Sequence, residues 1–189
     1  MIGAVGSGKT TFANHLGVIS GLPVYHLDDI VGAAATSESC ISAIAHKPAW
    51  IVEGVHLGWT DPLLDDADLI VWLDHRNWWQ NSVRITRRFI RGALDEVRQQ
   101  KGVRKFNRFG DYARHLKELV LAIPDARRQQ VSAEAGAGGT PTRSEIAVRL
   151  APLHTKVTHC RRASEVQQVL DAFQAQTVVR SRPISSPRR

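Results

Sequence analysis

The stretch from Gly3 to Thr10, GAVGSGKT, matches G-x-x-x-x-G-K-[ST] at every fixed position. In a loop of this kind the glycines let successive backbone N–H groups turn inward around a phosphate, the lysine reaches the β- and γ-phosphate oxygens, and the hydroxyl is set to ligate Mg²⁺. A helix that starts inside the motif aims its positive end at the same anion. The motif therefore predicts a nucleotide held through its phosphates, with Mg²⁺. Gly3, Gly6, Ser7, Gly8, Lys9, Thr10 and Thr11 are the expected nucleotide contacts, and Thr10 the expected metal ligand.

On its amino side, such a loop follows a buried strand of about five or six residues. Met1-Ile2-Gly3-Ala4-Val5 reads as the tail of an apolar strand, and the expectation is that upstream residues complete it. On the carboxyl side, residues 9–19 carry Phe12, Leu16 and Ile19 on one helix stripe, Gly21 stops the helix and Pro23 prevents its resumption. Residues 24–27 then read as a short strand ended by Asp28 and Asp29, and 33–47 as a helix with Ile41 and Ile44 inward. Residues 49–54 and 69–74 read as two further strands, the latter apolar without alternation, as parallel strands covered on both faces are.

From Trp78 the period turns helical and the composition basic. Residues 102–110 break that helix, Asp111 caps another that runs to Ile123, and 133–141 are flexible by composition. Thr142 caps a short helix to Leu150, and 156–160 read as a last strand. Ser164 caps a final helix with Val166, Val169, Leu170 and Phe173 inward. Beyond Gln176 the Pro, Ser and Arg content predicts disorder. Strands alternating with helices imply one α/β domain with a parallel sheet over residues 1–176. A basic helical insertion over about 76–130 lies at the sheet's carboxyl edge, where ligands of open α/β sheets bind, and a basic tail occupies 177–189.

A chain of 189 residues, 43% hydrophobic, suffices for one core. No apolar run approaches the eighteen or so residues that span a bilayer and no secretory pattern leads the chain, so the expected location is cytoplasmic with no membrane partner. Cys40 and Cys160 are far apart and suggest free thiols rather than a disulfide framework or zinc site. The net charge of +7 is concentrated: residues 76–128 hold fourteen Lys/Arg against five Asp/Glu, and residues 180–189 add four arginines. Such an excess fits phosphate-rich ligands or nucleic acid.

The order of the motifs carries a resemblance. The phosphate loop is followed by LPVYHLDDI at 22–30, WIVEGVH at 50–56, DADLIVWLDHRNWW at 66–79 and the arginine-bearing helix. Together they resemble the small P-loop kinases related to adenylate kinase, and more narrowly the adenylate-kinase-like proteins described as DNA topology modulation or nucleoside-type kinases. The likeness spans most of residues 1–173, with the phosphate loop its one specific motif. It implies a three-layer P-loop NTPase fold with a mostly parallel five-stranded sheet. It also implies ATP with Mg²⁺, and transfer of the γ-phosphoryl group to a small acceptor, either nucleotide- or nucleoside-like or a hydroxyl metabolite.

The resemblance also implies roles. Lys9 neutralises charge on the transferred group, and Asp28, with Asp29 behind it, holds or deprotonates the acceptor hydroxyl. Glu53 supports the metal, ranked above Asp74, which the family uses structurally. Arg84, Arg87, Arg88 and Arg91 lie on one side of a helix, where the family keeps arginines over the phosphate. Arg87 and Arg88 are the chosen pair, because a guanidinium binds phosphate bidentately and keeps its charge. Arg143 is a weaker candidate for the nucleotide's other side. His26 and His56 flank the acids, and Trp59, Trp78 and Trp79 either line an acceptor pocket or pack the basic helix. The chain departs from the fuller patterns of adenylate, shikimate and uridine kinases, which leaves the acceptor open. The competing reading is a nucleotide-binding regulator that meets DNA or RNA through its basic helices and tail, with salt-sensitive binding. No helix-turn-helix or RNA-binding signature accompanies it.

Overall fold

The structure, a computed structural model, describes residues 1–31, 37–54, 60–99, 127 and 141–180. The expected break at 102–110, the helix led by Asp111, the linker at 133–140, His56, Trp59 and the end of the tail at 181–189 lie outside the described residues.

Strand β1 (Ile2–Gly3) leads through the loop into α1 (Lys9–Ser20). Helix α1 buries Phe12, Ala13 and Leu16 and ends where Gly21, at φ 71°, donates its N–H to Gly17 at 2.8 Å. Strand β2 (Val24–His26) is one residue shorter than its sequence suggests. Leu27 opens a short helix, α2 (Leu27–Val31), so Asp28 and Asp29 stand in a first helical turn, favoured by the backbone dipole, rather than at a strand end. Helix α3 (Ser37–Ala45) buries Ile41 and Ile44 as the spacing requires. Next come β3 (Ile51–Glu53), the short α4 (Asp61–Asp66) with Pro62 in its first turn, β4 (Ile70–Leu73) and the long α5 (Trp78–Gln99). The chain closes with α6 (Arg143–Leu150), a 3₁₀ segment (Ala151–Lys156), β5 (Val157–Cys160) and α7 (Ala163–Arg180).

Local chemistry sets the helix starts. Asn77 accepts from the N–H of Gln80 at 2.9 Å while the Gln80 side chain accepts from the N–H of Asn77 at 3.2 Å, a reciprocal cap for α5. Thr142 caps α6 as expected, and Glu145 completes a capping box with it. At α7 the expected cap is displaced. Ser164 lies inside the helix, and the Glu165 carboxylate instead accepts from the N–H groups of Arg161 (2.6 Å) and Arg162 (3.1 Å), bonds that lower its pKa. The helix also runs past Gln176 to Arg180, correcting the expectation that order ends there.

All paired strands are parallel, as expected for an α/β fold. The expected single sheet of five is instead a three-stranded sheet, β1-β4-β5, and a two-stranded sheet, β2-β3, because β1 has only two residues with which to pair. Hydrogen bonds of Met1 link them: its amino group donates to Val52 O at 2.6 Å, and its carbonyl oxygen accepts from Gly54 N–H at 3.2 Å.

Helices cover both faces of the strands. Val71 and Leu73 of β4 pack with Phe12, Leu16 and Leu170 of α1 and α7. Their neighbours Ile70 and Trp72 pack on the opposite face with Ile146 and Leu150 of α6. A third cluster joins Val52 to Leu27, Ile41, Ile44 and Leu63. Each such aliphatic side chain, fully buried, contributes about 1.5–3 kcal/mol, so β4, buried on both faces, anchors the site described below. Cys160 is buried and Cys40 half-buried, and both are free thiols. No described helix is long and apolar enough to cross a membrane.

Candidate active site

The loop sits at the carboxyl end of β1, pressed between β4 and α5. A methyl group on Gly3 would stand 2.5 Å from the Leu73 carbonyl oxygen and 2.9 Å from Ser7 Oγ. Gly6, at φ 79°, approaches α5 so closely that a methyl there would lie 2.9 Å from the Asn81 carbonyl oxygen. Both positions need glycine, one for clearance and one also for its left-handed backbone. No side chain caps α1, whose first N–H groups face the loop and are a ready anion site.

Lys9 Nζ donates to the carbonyls of Gly3 (2.8 Å) and Ala4 (3.1 Å), arching over the loop. Thr10 Oγ1 donates to Glu53 Oε1 at 3.0 Å, and His26 Nδ1 lies 2.8 Å from the same oxygen. A carboxylate oxygen only accepts, so this contact assigns the proton to Nδ1. The pairing of β2 with β3 sets His26 opposite Glu53, which explains how two residues far apart in sequence converge. Glu53 is 4% exposed and would be costly to bury without these partners.

The Thr10 hydroxyl and the Glu53 carboxylate are hard oxygen donors, the kind Mg²⁺ takes. Among the described residues there is no cluster of three or more His, Cys, Asp or Glu able to hold a metal. Mg²⁺ keeps several waters and takes ligands from a substrate's phosphates, so one or two protein oxygens suffice to hold it. The two residues expected at the metal, Thr10 and Glu53, therefore fit it.

Cations crowd the same place. Arg76 Nη1 donates to Ser7 O at 3.1 Å. A methyl on Gly8 would lie 3.5 Å from Arg76 Nη1 and 3.8 Å from Arg84 Nη2, so both guanidiniums overhang the loop. Burial lowers the Lys9 pKa, Glu53 and Asp28 oppose that, and Arg88 reinforces it. The pKa of Arg76 is lowered by burial and then by Arg84, and that of His75 by burial, Arg76 and Arg84 against Asp74. Mutual repulsion of this kind is relieved by an anion.

Of the expected catalytic residues, Lys9 is at the loop, and the charges of Asp28, on α2, and Arg88 both reach it. Arg87 and Arg88 are both exposed on α5. Thr11 is exposed one residue into α1 beyond Thr10. Asp74 has structural partners: Arg143 bonds it at 2.6 and 2.9 Å and His159 at 2.8 Å, with His159 stacked on Trp72 at 3.9 Å. Arg143 is thus engaged with Asp74. Trp78 meets Trp79 edge-on at 5.8 Å, and the Arg127 guanidinium stands 5.6 Å from the Trp78 ring.

Sequence reasoning missed Arg76 and Asn81. Arg76 follows the carboxyl end of β4, a position where open α/β sheets gather ligand contacts, and that rule was the available signal. Asn81 is wholly buried at the loop, and neither atom of its amide has a hydrogen-bond partner among the described residues; Ser7 Oγ and His75 Nδ1 share that condition. Its signal was a polar residue four positions before the buried Ile85, on the inward stripe of a helix. No family model matches the chain, and no curated protein or solved structure matches it significantly.

Proposed function

We propose that the protein is an ATP-dependent phosphotransferase that passes the γ-phosphoryl group to a small hydroxyl-bearing acceptor. The observation that carries this reading is the convergence of Lys9, Thr10 backed by Glu53, and the guanidiniums of Arg76 and Arg84 on one glycine loop. The finer fold that goes with it is a P-loop NTPase sheet of order β2-β3-β1-β4-β5. The two hydrogen bonds of Met1 support it, since bonding to Val52 O and Gly54 N–H is the pattern of a parallel bridge opposite Glu53.

Phosphoryl transfer needs positioning and charge neutralisation more than covalent participation. Lys9 exchanges its two neutral carbonyl acceptors for β- and γ-phosphate oxygens, a stronger charge-assisted bond. Arg76, Arg84 and Arg88 offset the charge spread over the transferring group. Thr10 and Glu53 would hold Mg²⁺, which would supply further charge neutralisation when bound. Asp28 accepts the proton of the acceptor hydroxyl as the new O–P bond forms and the bond from the γ-phosphorus to the bridging oxygen breaks, releasing ADP.

A melting-temperature panel of nucleoside triphosphates with Mg²⁺, followed by a coupled ADP assay over hydroxyl acceptors, tests this. A ligand at a hundred times its Kd stabilises the folded state by about 2.7 kcal/mol, which is a shift of several degrees. No shift with any triphosphate would defeat the proposal. A shift with duplex DNA or RNA alone, abolished by salt, would favour the regulator reading in its place.

Glu53 and Asp74 are separable. Glu53→Gln keeps a partner for Thr10 but removes the metal-side charge, so turnover should fall about 10²-fold with a raised Mg²⁺ requirement. Asp74→Ala strips the partner from Arg143 and His159 and should lower stability by about 1–3 kcal/mol, while the folded fraction retains turnover. Reversed outcomes in Mg²⁺ titrations and urea melts would exchange the two roles.

A further inference from the structure

Strands β2 and β3 alternate in step. Val24 and Ile51 pack with the core that α1 and α7 share, and Tyr25 and Val52 with the cluster drawn from α2, α3 and α4. Successive strand residues face opposite ways, so His26 and Glu53, paired in register, return to the α1 side. There Thr10 stands in the first turn of α1. The alternation thus brings an imidazole, a carboxylate and a hydroxyl together. Two hydrogen bonds join them, with Glu53 Oε1 lying 2.8 Å from His26 Nδ1 and 3.0 Å from Thr10 Oγ1.

Both bonds end on the same oxygen. Oε1 accepts twice, while Oε2 takes no hydrogen bond among the described residues. A partner needed only to offset burial of the charge would serve as well on either oxygen. Doubling on Oε1 fixes the rotation of the carboxylate and leaves the other oxygen uncommitted. It also orients Thr10. A hydroxyl has one proton and two lone pairs, so with its proton held by Oε1 only lone pairs remain for another neighbour, and lone pairs are what a cation binds.

We propose that His26 is a positioning residue for the cation of the loop. Its Nδ1–H holds Glu53 Oε1 where that oxygen takes the Thr10 proton, which leaves the Thr10 lone pairs and Glu53 Oε2 open to Mg²⁺. The inference rests on the reading of the loop as a Mg²⁺-nucleotide site and adds to it the group that sets the orientation of both ligands. Removing an orienting partner of this kind typically costs about 10–100-fold in metal affinity. Among the described residues the His26 side chain hydrogen-bonds only Glu53, so nucleotide affinity without metal should not depend on it.

The test titrates Mn²⁺, a spectroscopic substitute for Mg²⁺, into the full chain with the non-hydrolysable analogue β,γ-imido-ATP, and follows free Mn²⁺ by electron paramagnetic resonance. His26→Asn keeps an N–H near the Nδ1 position and should bind Mn²⁺ within about threefold of the unaltered chain. His26→Leu keeps bulk but no donor and should bind it about 10–100-fold more weakly. Affinity for the analogue in EDTA should be the same in all three. Unaltered Mn²⁺ affinity in His26→Leu, or equal losses in both variants, overturns the proposal. A loss in His26→Leu that is equally large in EDTA also overturns it, because the damage would then lie in the nucleotide contacts. Nitrogen-15 spectra of the unaltered chain need no variant. At about pH 8, above the ordinary histidine range, the His26 ring should carry its proton on Nδ1, and a proton on Nε2 instead overturns the proposal. Intact Mn²⁺ binding with the expected variant pattern but no turnover on any acceptor would defeat the phosphotransferase reading and uphold the role of His26. An unaltered chain that gains no Mn²⁺ affinity from the analogue overturns both.

Discussion

Lys9→Ala is expected to abolish detectable nucleotide stabilisation and to lower turnover by about 10²–10³-fold or more, while the melting temperature without nucleotide stays nearly constant. The asymmetry follows from what Lys9 does in the folded chain. It donates to two loop carbonyls, bonds worth about 1 kcal/mol each in net terms. Against them stands the cost of holding a cation where burial disfavours it, the cause of its lowered pKa. A folded-state pKa below the ordinary lysine value means that the charge opposes folding at neutral pH, so deleting it removes a cost along with the two bonds. Lys9→Met, which keeps the stem, guards against a packing artefact. Calorimetry with Mg²⁺-ATP and parallel melts measure both halves. A variant that hydrolysed ATP normally would remove Lys9 from the chemistry and the phosphate-loop reading with it.

Gly3→Ala should be severely damaging, costing about 3 kcal/mol and lowering Tm by roughly 6–12 °C. The added carbon meets the Leu73 carbonyl at 2.5 Å, and that oxygen belongs to the backbone of the strand to which Gly3 is paired. Ser7 Oγ, the other obstacle, can rotate away; the strand cannot. Gly92→Ala is the control, because a methyl there meets nothing within 4 Å on α5. It should stabilise by about 1 kcal/mol through helix propensity alone. Equal melts for the two variants would show that β1 and β4 are not held as tightly as their pairing implies.

Where the sequence signal was local, reading it sufficed. Helix α1, its stop at Gly21, the inward pair Ile41 and Ile44 and the Thr142 cap all depend on contacts within a few residues, and each stands as its spacing requires. The failures share an opposite cause. Leu27 reads equally well as strand or helix and entered α2 because it packs with Ile41, Ile44 and Leu63. Helix α4, at six residues, is too short to show a period and is held partly by Arg149, which reaches Asp61 (3.1 Å) and Asp65 (2.9 Å) from α6. Residues 177–180 extend α7 although their composition with the following tail suggested disorder.

The sequence by itself determined the glycine-rich loop, its lysine and hydroxyl, and the alternation that makes an α/β fold, because eight contiguous residues and short hydrophobic periods contain that information. Only the tertiary structure decided that Glu53, forty-three positions away, stands behind Thr10. It alone bound Asp74 to Arg143 and His159, and brought Arg76 and Asn81 to the loop. Those pairings follow from strand register and from the approach of α5 to β1. Both are set by burying β4 on two faces, a property of the whole core that no short stretch of chain encodes.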